Sequence, residues 1–289
     1  MIKSDSTNLD LARIKAQTLV ESAPWIRGFQ DKIIVVKFGG NAMVDEQLQQ
    51  AFAEDIAYLN LVGIKAVVVH GGGPQITSRL SELGLKSEFI DGLRVTQLEA
   101  ISVIRDVLMQ EISEPLVKMI EIAGAKAAAF NGETEGLFSA QITRPDLGLV
   151  GEVVSVDASV ITRSLEAGLI PVISTVAPDS SGQLVNVNAD LAASSLAIAL
   201  QAEKLVVLTD VPGLYSDWPN RDSLVSELSA SELQEMLPDL ESGMIPKMQA
   251  CLNAVNGGVS KAHIIDGRIP HSVLLEIFTP SGIGTLVVA

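Results

Sequence analysis

The 289-residue sequence is poor in cysteine, aromatics and basic charge, and each shortage removes a class of protein. A single cysteine, Cys251, cannot form a disulfide within the chain, so stability must come from core burial. Its apolar helical context assigns it to packing. Aromatics make up 4% of the residues, too few to expect stacking platforms for bases or sugars. Lys plus Arg total 20 against 35 Asp plus Glu, a formal charge of -15, so the basic footprint of a nucleic-acid binder is absent. No apolar run approaches the ~18 residues of a membrane span, and the opening MIKSDSTNLD lacks the apolar segment of a signal peptide. The expectation is a cytoplasmic protein with neither membrane nor nucleic acid as partner. His70, His263 and His271 are joined by no cysteine or carboxylate cluster at ligand spacing, so no metal site is expected.

What is present is a large apolar fraction, 47%, arranged in short blocks. KIIVVKF (32–38) and KAVVVH (65–70) are continuous apolar strands, as in a sheet covered on both faces. Asp45 opens a helix between them, and another follows GGGPQ, so the chain starts βαβα and predicts a parallel sheet. Before it, Leu9, Ala12, Ala16 and Leu19 recur at helical spacing, with Thr7 and Asp10 as a cap and Pro24 as a stop. The apolar stripe of that helix has to be buried on its own domain or on a neighbouring subunit. Thr96 and Glu99 read as a capping box for a helix with Pro115 inside it or between two pieces. Residues 142–157 read as a small antiparallel excursion. Ser229 and Glu232 cap a short helix, and Gly257 and Gly258 end the one that begins in GMIPK. The alternation predicts an N-terminal helical extension (1–30) and two lobes on one sheet, 31–178 and 179–289.

Two glycine turns carry the chemistry. Gly39 and Gly40 follow the strand ending in Lys37 and Phe38, and Gly71, Gly72 and Gly73 follow the next. Both fall on the C-terminal edge of a parallel sheet, where ligands bind, and each precedes a helix N-terminus that favours an anion. The chain has no Walker A motif, and HGGGPQ departs from the dinucleotide fingerprint. The plain alternative is two tight turns with no ligand. Arg94 in DGLRVT, Asn186, Asn188 and Asp190 in NVNAD, and Lys247 in GMIPK complete a set suited to moving a charged group. Singly, each has a simpler reading: a surface cation, an N-cap, an exposed lysine.

VVKFGGNAM, VVVHGGGPQI, DGLRVT, NVNAD, LTDVPGLY and GMIPKM together resemble, in order and spacing, the N-acetylglutamate kinases of the amino acid kinase family. The resemblance runs from about Lys32 to the C-terminus. It implies a three-layer, open, mainly parallel α/β sandwich, with the acetylated amino acid in the N-lobe and ATP, carrying Mg²⁺, in the C-lobe. It implies that Lys37 and Lys247 contact the transferring phosphoryl group and that Asp190 organises them. Gly39 and Gly40 would face the phosphates, with Thr209, Asp210 and Tyr215 near the nucleotide. Gly72 and Gly73 would hold the reacting carboxylate, Arg94 the α-carboxylate, and Asn186 the α-substituents. Many relatives read SGKDG where this chain has NGETEG (131–136), so no nucleotide or metal role is assigned to that loop.

The ends of the chain resemble the arginine-sensitive form of the family, in which an extra N-terminal helix interlaces dimers into a ring-like hexamer. Glu276, with backbone at Gly282 and Gly284, would then hold the arginine inhibitor. The plain alternative has Asp266 and Arg268 forming a turn and Glu276 facing solvent. Some photosynthetic relatives bind a PII-type signalling protein, though no segment here demands one. The rival functions are another kinase of the same fold, acting on carbamate, aspartate, glutamate or uridylate, and a non-catalytic arginine sensor. A Rossmann dehydrogenase stands third.

Overall fold

The computed structural model describes residues 6–279 and 282–289. Helix α1 (Ser6–Phe29) is described from Ser6, so Thr7 lies inside it and not at its cap, and it runs through Pro24 without stopping. Proline removes one backbone donor from a helix. The carbonyl it would have paired with belongs to Val20, which is exposed, so water can satisfy it. Leu9, Leu11, Ile14, Leu19 and Val20 remain exposed, and the stripe finds no cover among the described residues, although the end of α1 packs on a later helix.

The sheet begins with β1 (Ile33–Phe38), followed by a 3-10 turn (Gly40–Met43) and α2 (Glu46–Leu61). Asp45 caps α2 by accepting the Gln47 and Leu48 N–H groups. Next come β2 (Lys65–His70), α3 (Gly73–Glu82) and the hairpin β3 (Phe89–Ile90) and β4 (Leu93–Arg94). The expected capping box at Thr96 and Glu99 does not form, because Gln97 is the N-cap residue and no side chain caps it. Thr96 is fully buried, and its hydroxyl donates to the Arg94 carbonyl and accepts from Asn186 instead. The helix continues from α4 (Leu98–Asp106) through a π-helical segment (Val107–Ser113) into α5 (Glu114–Ile122). Pro115 sits in the first turn of α5, where the wider winding before it accommodates a residue without an N–H.

Strands β5 (Lys126–Phe130), β6 (Phe138–Gln141) and β7 (Val150–Val156) precede α6 (Ser159–Glu166), β8 (Leu169–Ile173), β9 (Val176–Pro178) and β10 (Leu184–Val187). The chain then runs through α7 (Ala189–Ala199), β11 (Lys204–Thr209), β12 (Glu227–Ser229) and α8 (Ala230–Met236), whose capping box from Ser229 and Glu232 is present. Helix α9 (Ile245–Asn256), β13 (Lys261–Asp266), α10 (Ser272–Phe278) and β14 (Thr285–Val288) complete it.

Eight strands form the central sheet in the order β12-β14-β13-β11-β1-β2-β8-β5, parallel throughout except between β13 and β14. In a smaller four-stranded sheet, β6-β7-β10-β9, the expected excursion over 142–157 supplies only β7, which pairs antiparallel with β6, before that range, and parallel with β10. Alternate residues of the central strands serve two cores. Val35, Val67, Leu205 and Val207 join α7 and α9 on one face, while Ile34, Val36, Val68 and Val206 join α2, the π-helical segment and α10 on the other. This is the three-layer, mainly parallel arrangement expected, and the period of two decides which face each strand residue serves.

Candidate active site

Lys37 belongs to the odd-numbered face of β1, the same face as Val35, so its side chain projects toward α7 and α9. There its ammonium lies 2.9 Å from Oδ1 of Asp190, in the first turn of α7, and Lys247 in the first turn of α9 lies 3.1 Å from Oδ2. Lys37 and Asp190 are buried, while the Lys247 side chain keeps 22% of its surface. Burial works against the Asp190 charge, but the two ammonium groups outweigh it and hold its pKa down to about 2. Burial pulls Lys37 below the ordinary lysine range, with Asp190 opposing. Lys247 sits at a helix N-terminus, an unfavourable place for a cation, and Asp190 is the anion that offsets it.

Lys37 and Asp190 border an open cleft of about 680 Å³, also lined by Gly71, Gly72, Gly73, Arg94 and Asn186. The three polar residues of NVNAD divide their work. Asn188 caps α7, Asp190 binds the lysines, and Asn186 on β10 donates 3.2 Å to Thr96. Arg94 is buried, not a surface cation. It donates to the Gly73 carbonyl at 2.8 Å, to Thr77 at 2.9 Å and to Ser87, and its guanidinium lies 4.6 Å from the Phe89 ring centre.

At the other turn the backbone closely approaches two side chains. A Cβ at Gly39 would collide with the Lys37 ammonium, and one at Gly40, where φ is +74°, with the Asp210 carboxylate. Asp210, just past the end of β11, accepts the Asn41 N–H at 2.6 Å and so pins the turn to the neighbouring strand. Thr209 is buried at the strand end, and its carbonyl accepts the Gly267 N–H. Tyr215 is not in the cleft. It lines a separate apolar pocket with Leu214, Trp218, Leu240 and Met244, its ring 5.3 Å from that of Trp218.

The three residues assigned to arginine also come together, elsewhere. A cleft of about 790 Å³ is lined by Trp25, Phe29, Lys204, His263, Glu276, Gly282 and Gly284. Glu276 does not face solvent. It is buried, with Oε1 3.1 Å from Lys204 and 2.5 Å from His263, and Oε2 accepts the Ile283 N–H at 2.9 Å. Burial opposes its charge, but His263 and Lys204 keep its pKa below the ordinary glutamate range. Burial lowers both Lys204 and His263. Lys204 opening an apolar strand and His263 inside AHII were the available signals for this pair. In the 131–136 loop, Glu133 is bound by Arg105 at 2.6 Å and Glu135 by Arg163. Among the described residues no group of three or more His, Cys, Asp or Glu converges as a metal site, and no helix is long and apolar enough to cross a membrane.

Residues 32–266 match the family model described as "Amino acid kinase family". The chain belongs to the amino acid kinase family. Its relatives within the family include the acetylglutamate kinase of Leifsonia xyli subsp. xyli, 57% identical over 94% of this chain and 93% of that one. The acetylglutamate kinase of Corynebacterium glutamicum is 53% identical over 96% and 89%. Among solved structures, the N-acetylglutamate synthase of Neisseria gonorrhoeae with coenzyme A and N-acetyl-glutamate superposes with a TM-score of 0.84 at 26% identity, covering 95% of this chain. This amino acid kinase spans 63% of that longer chain. The same synthase with coenzyme A and L-arginine gives a TM-score of 0.78 at 26% identity, over 94% of this chain and 65% of that one.

Proposed function

We propose that this amino acid kinase transfers the γ-phosphoryl group of ATP to the side-chain carboxylate of N-acetyl-L-glutamate, forming N-acetyl-L-glutamyl 5-phosphate in arginine biosynthesis in the cytoplasm. The observation that carries this reading is the ion-paired chain Lys37–Asp190–Lys247, whose Lys37 and Asp190 border a cleft together with the Gly71–Gly73 turn. Two close relatives that span nearly the whole chain carry the same activity in their names.

The acceptor carboxylate has an ordinary pKa of ~4.3, so it is already an anion at neutral pH and needs no general base. The obstacle is charge, because an anion must approach a phosphoryl group rich in negative oxygens. Lys37 and Lys247 offset that repulsion, and Asp190 holds both ammonium groups in place while they do so. The N–H groups of the Gly39–Gly40 turn face the phosphates, with Thr209 and Asp210 behind them. Tyr215, with Trp218, borders the apolar pocket for the base. Gly72 and Gly73 head α3 and present N–H groups to the reacting carboxylate. Arg94 takes the α-carboxylate and Asn186 the acetylated amine. The close-packed glycine turn and its lysine suit a triphosphate, whose bound Mg²⁺ supplies further neutralisation of negative charge. In this division residues 31–178 form the amino-acid lobe and 179–289 the nucleotide lobe.

The second cleft is the arginine inhibitor site, with Glu276 and the backbone at Gly282 and Gly284 as its anchors. Support comes from the buried Glu276 cluster and from the synthase that binds L-arginine. The uncovered stripe on α1 interlaces with a second copy, joining dimers into a hexamer, and α1 also lends Trp25 and Phe29 to the arginine cleft. No segment requires a PII-type partner.

A coupled assay with MgATP tests the reaction. ADP release should depend on N-acetyl-L-glutamate, and equal or greater turnover on unacetylated glutamate would sink the substrate assignment. Removal of residues 1–25 should turn hexamers into dimers by light scattering and raise the arginine needed for inhibition. An unchanged hexamer with its original arginine response would leave α1 as a local appendage.

A further inference from the structure

His70 ends β2 and immediately precedes the Gly71–Gly73 turn. Both His70 and Ser113 are completely buried. The two ring nitrogens have different partners: Nδ1 lies 2.9 Å from the Gly71 carbonyl oxygen, and Nε2 lies 2.6 Å from the Ser113 hydroxyl. A carbonyl oxygen only accepts, so Nδ1 carries the proton. Nε2 is then a lone pair, and the serine hydroxyl donates to it. Burial, reinforced by the nearby Lys37 charge, pulls the imidazole pKa down to about 4, so the ring is neutral at physiological pH.

Ser113 is the last residue of the π-helical segment. The same segment sends Leu108 and Ile112 against Gly72, where a Cβ would lie 2.8 and 2.7 Å from their methyl carbons. One stretch of irregular helix therefore makes two contacts on Gly72 and a third on the histidine just before the turn. Such windings recur at functional sites because they re-aim side chains that a regular helix would send elsewhere.

We propose that His70 is a positioning residue for the phosphoryl acceptor, its ring held by Ser113 and in turn fixing the orientation of the Gly71–Gly72 peptide. In a trans peptide the carbonyl and the following N–H point in opposite directions. With the Gly71 carbonyl turned inward to His70, the Gly72 N–H is directed away from the ring, on the side of the cleft that Gly71, Gly72 and Lys37 share. It and the Gly73 N–H stand at the start of α3, where no intrahelical acceptor exists, and they are left for the acceptor carboxylate. The opposite tautomer would set a nitrogen lone pair against the carbonyl, and the peptide would rotate its donor out of line. This inference rests on the reading of the cleft as an N-acetylglutamate phosphorylation site.

Two measurements test it. In protein with ¹⁵N-labelled histidine, the His70 resonance, assigned by its loss in His70→Asn, should report the Nδ1–H tautomer and should not titrate between pH 8 and about 5. A proton on Nε2, or titration near the ordinary value of ~6.5, overturns the proposal, and this readout needs no activity. In kinetics with MgATP and N-acetyl-L-glutamate, His70→Leu should lower kcat roughly thirtyfold and leave the KM for ATP within about twofold, less than the hundredfold or more of an outright donor loss. His70→Asn, whose amide can still donate to the Gly71 carbonyl, should recover kcat to within about fivefold of wild type. Equal kcat in the two variants, or a loss confined to the KM for ATP, overturns it. If His70→Leu does not fold, the tautomer measurement on the wild type decides. A wild-type protein that does not use N-acetyl-L-glutamate refutes the functional reading while the tautomer result stands by itself.

Discussion

Two buried carboxylates each gather two basic side chains in this molecule, and they do so on opposite faces of the central sheet. Asp190 meets Lys37 and Lys247 on the α7/α9 face, near the C-terminal end of β1. Glu276 meets Lys204 and His263 on the α10 face, where Lys204 opens β11. The difference lies in the charge left over. Two lysines around one aspartate leave a net positive charge, and the Lys247 side chain is partly exposed. One lysine and a histidine whose pKa burial lowers leave the Glu276 cluster balanced, and the Ile283 N–H fills the remaining oxygen. A buried charge without compensation is costly, so a protein retains one where an incoming anion will use it. A balanced cluster can hold a fold together or grip a ligand through fixed geometry, but it offers little to a phosphoryl group.

The sharpest way to break this comparison is to remove a cation from each cluster. Lys37→Ala and Lys247→Ala should lower kcat over a hundredfold, about 3 kcal/mol, with much smaller changes in KM. Lys204→Ala should lower thermal stability and arginine sensitivity instead. If it lowers kcat as much as Lys37→Ala, net charge is not what separates the clusters.

A third buried carboxylate gives a pH signature of opposite sign. Asp55 on α2 is 1% exposed and accepts from His271 Nδ1 at 2.7 Å, and burial pushes its pKa up to about 6 against the pull of His271. An unfolded aspartate titrates near ~3.9, so the native state keeps a proton that the unfolded chain releases. Stability contributed by Asp55 is therefore full below pH ~4 and declines as pH rises through 6, by up to about 3 kcal/mol. Asp190, held at about 2, behaves in reverse: its contribution is present above pH ~4 and is lost as pH falls toward 2. Urea unfolding across pH 3 to 8 should show the decline between ~4 and 6 flattened in Asp55→Asn. A slope that survives this substitution refutes the assignment.

Gly40→Ala should cost about 1–3 kcal/mol, because it combines positive φ with collision against Asp210. The loss should appear in the melting temperature and as a raised KM for ATP. An unchanged KM for ATP would mean the turn does not contact the nucleotide. The smallest expected effect is that of Arg94→Lys. A lysine cannot reproduce a planar, two-pronged grip on a carboxylate, so the KM for N-acetyl-L-glutamate should rise about five- to tenfold with that for ATP unchanged. Loss of ATP affinity alone would place Arg94 in the wrong half of the cleft.

Much of the scaffold can be read directly from the chain. Continuous apolar blocks specify strands buried on both sides, and the alternation of strand and helix specifies parallel order. Local caps at Asp45 and Ser229 form where their side chains can reach nearby N–H groups. The glycine turns follow their strands directly, and the spacing of six motifs was sufficient to suggest a family. Thr96 defeats the same local logic. Its sequence context offers a cap, but it is buried beside Arg94 and Asn186, and those partners take the hydroxyl. Pro24 stays within its helix because that surface is wet, a property of the folded neighbourhood and not of the residue.

The sequence by itself determined the strands, the turns at their ends and the alternation that sets Lys37 with Val35 on one strand and Lys204 with Val206 on another, because these depend on the two-residue period of a strand and on local geometry; the pairing of Ile34 with Lys204 then puts the two lysines on opposite faces. Only the tertiary structure decided which residues meet those two lysines. Asp190 lies more than a hundred residues from Lys37, and Glu276 lies 72 residues from Lys204. Their pairing and the shifted ionisation that follows from it depend on helices packing across the sheet. Contacts and burial of that kind arise in three dimensions, where sequence distance no longer limits which groups exclude water from one another.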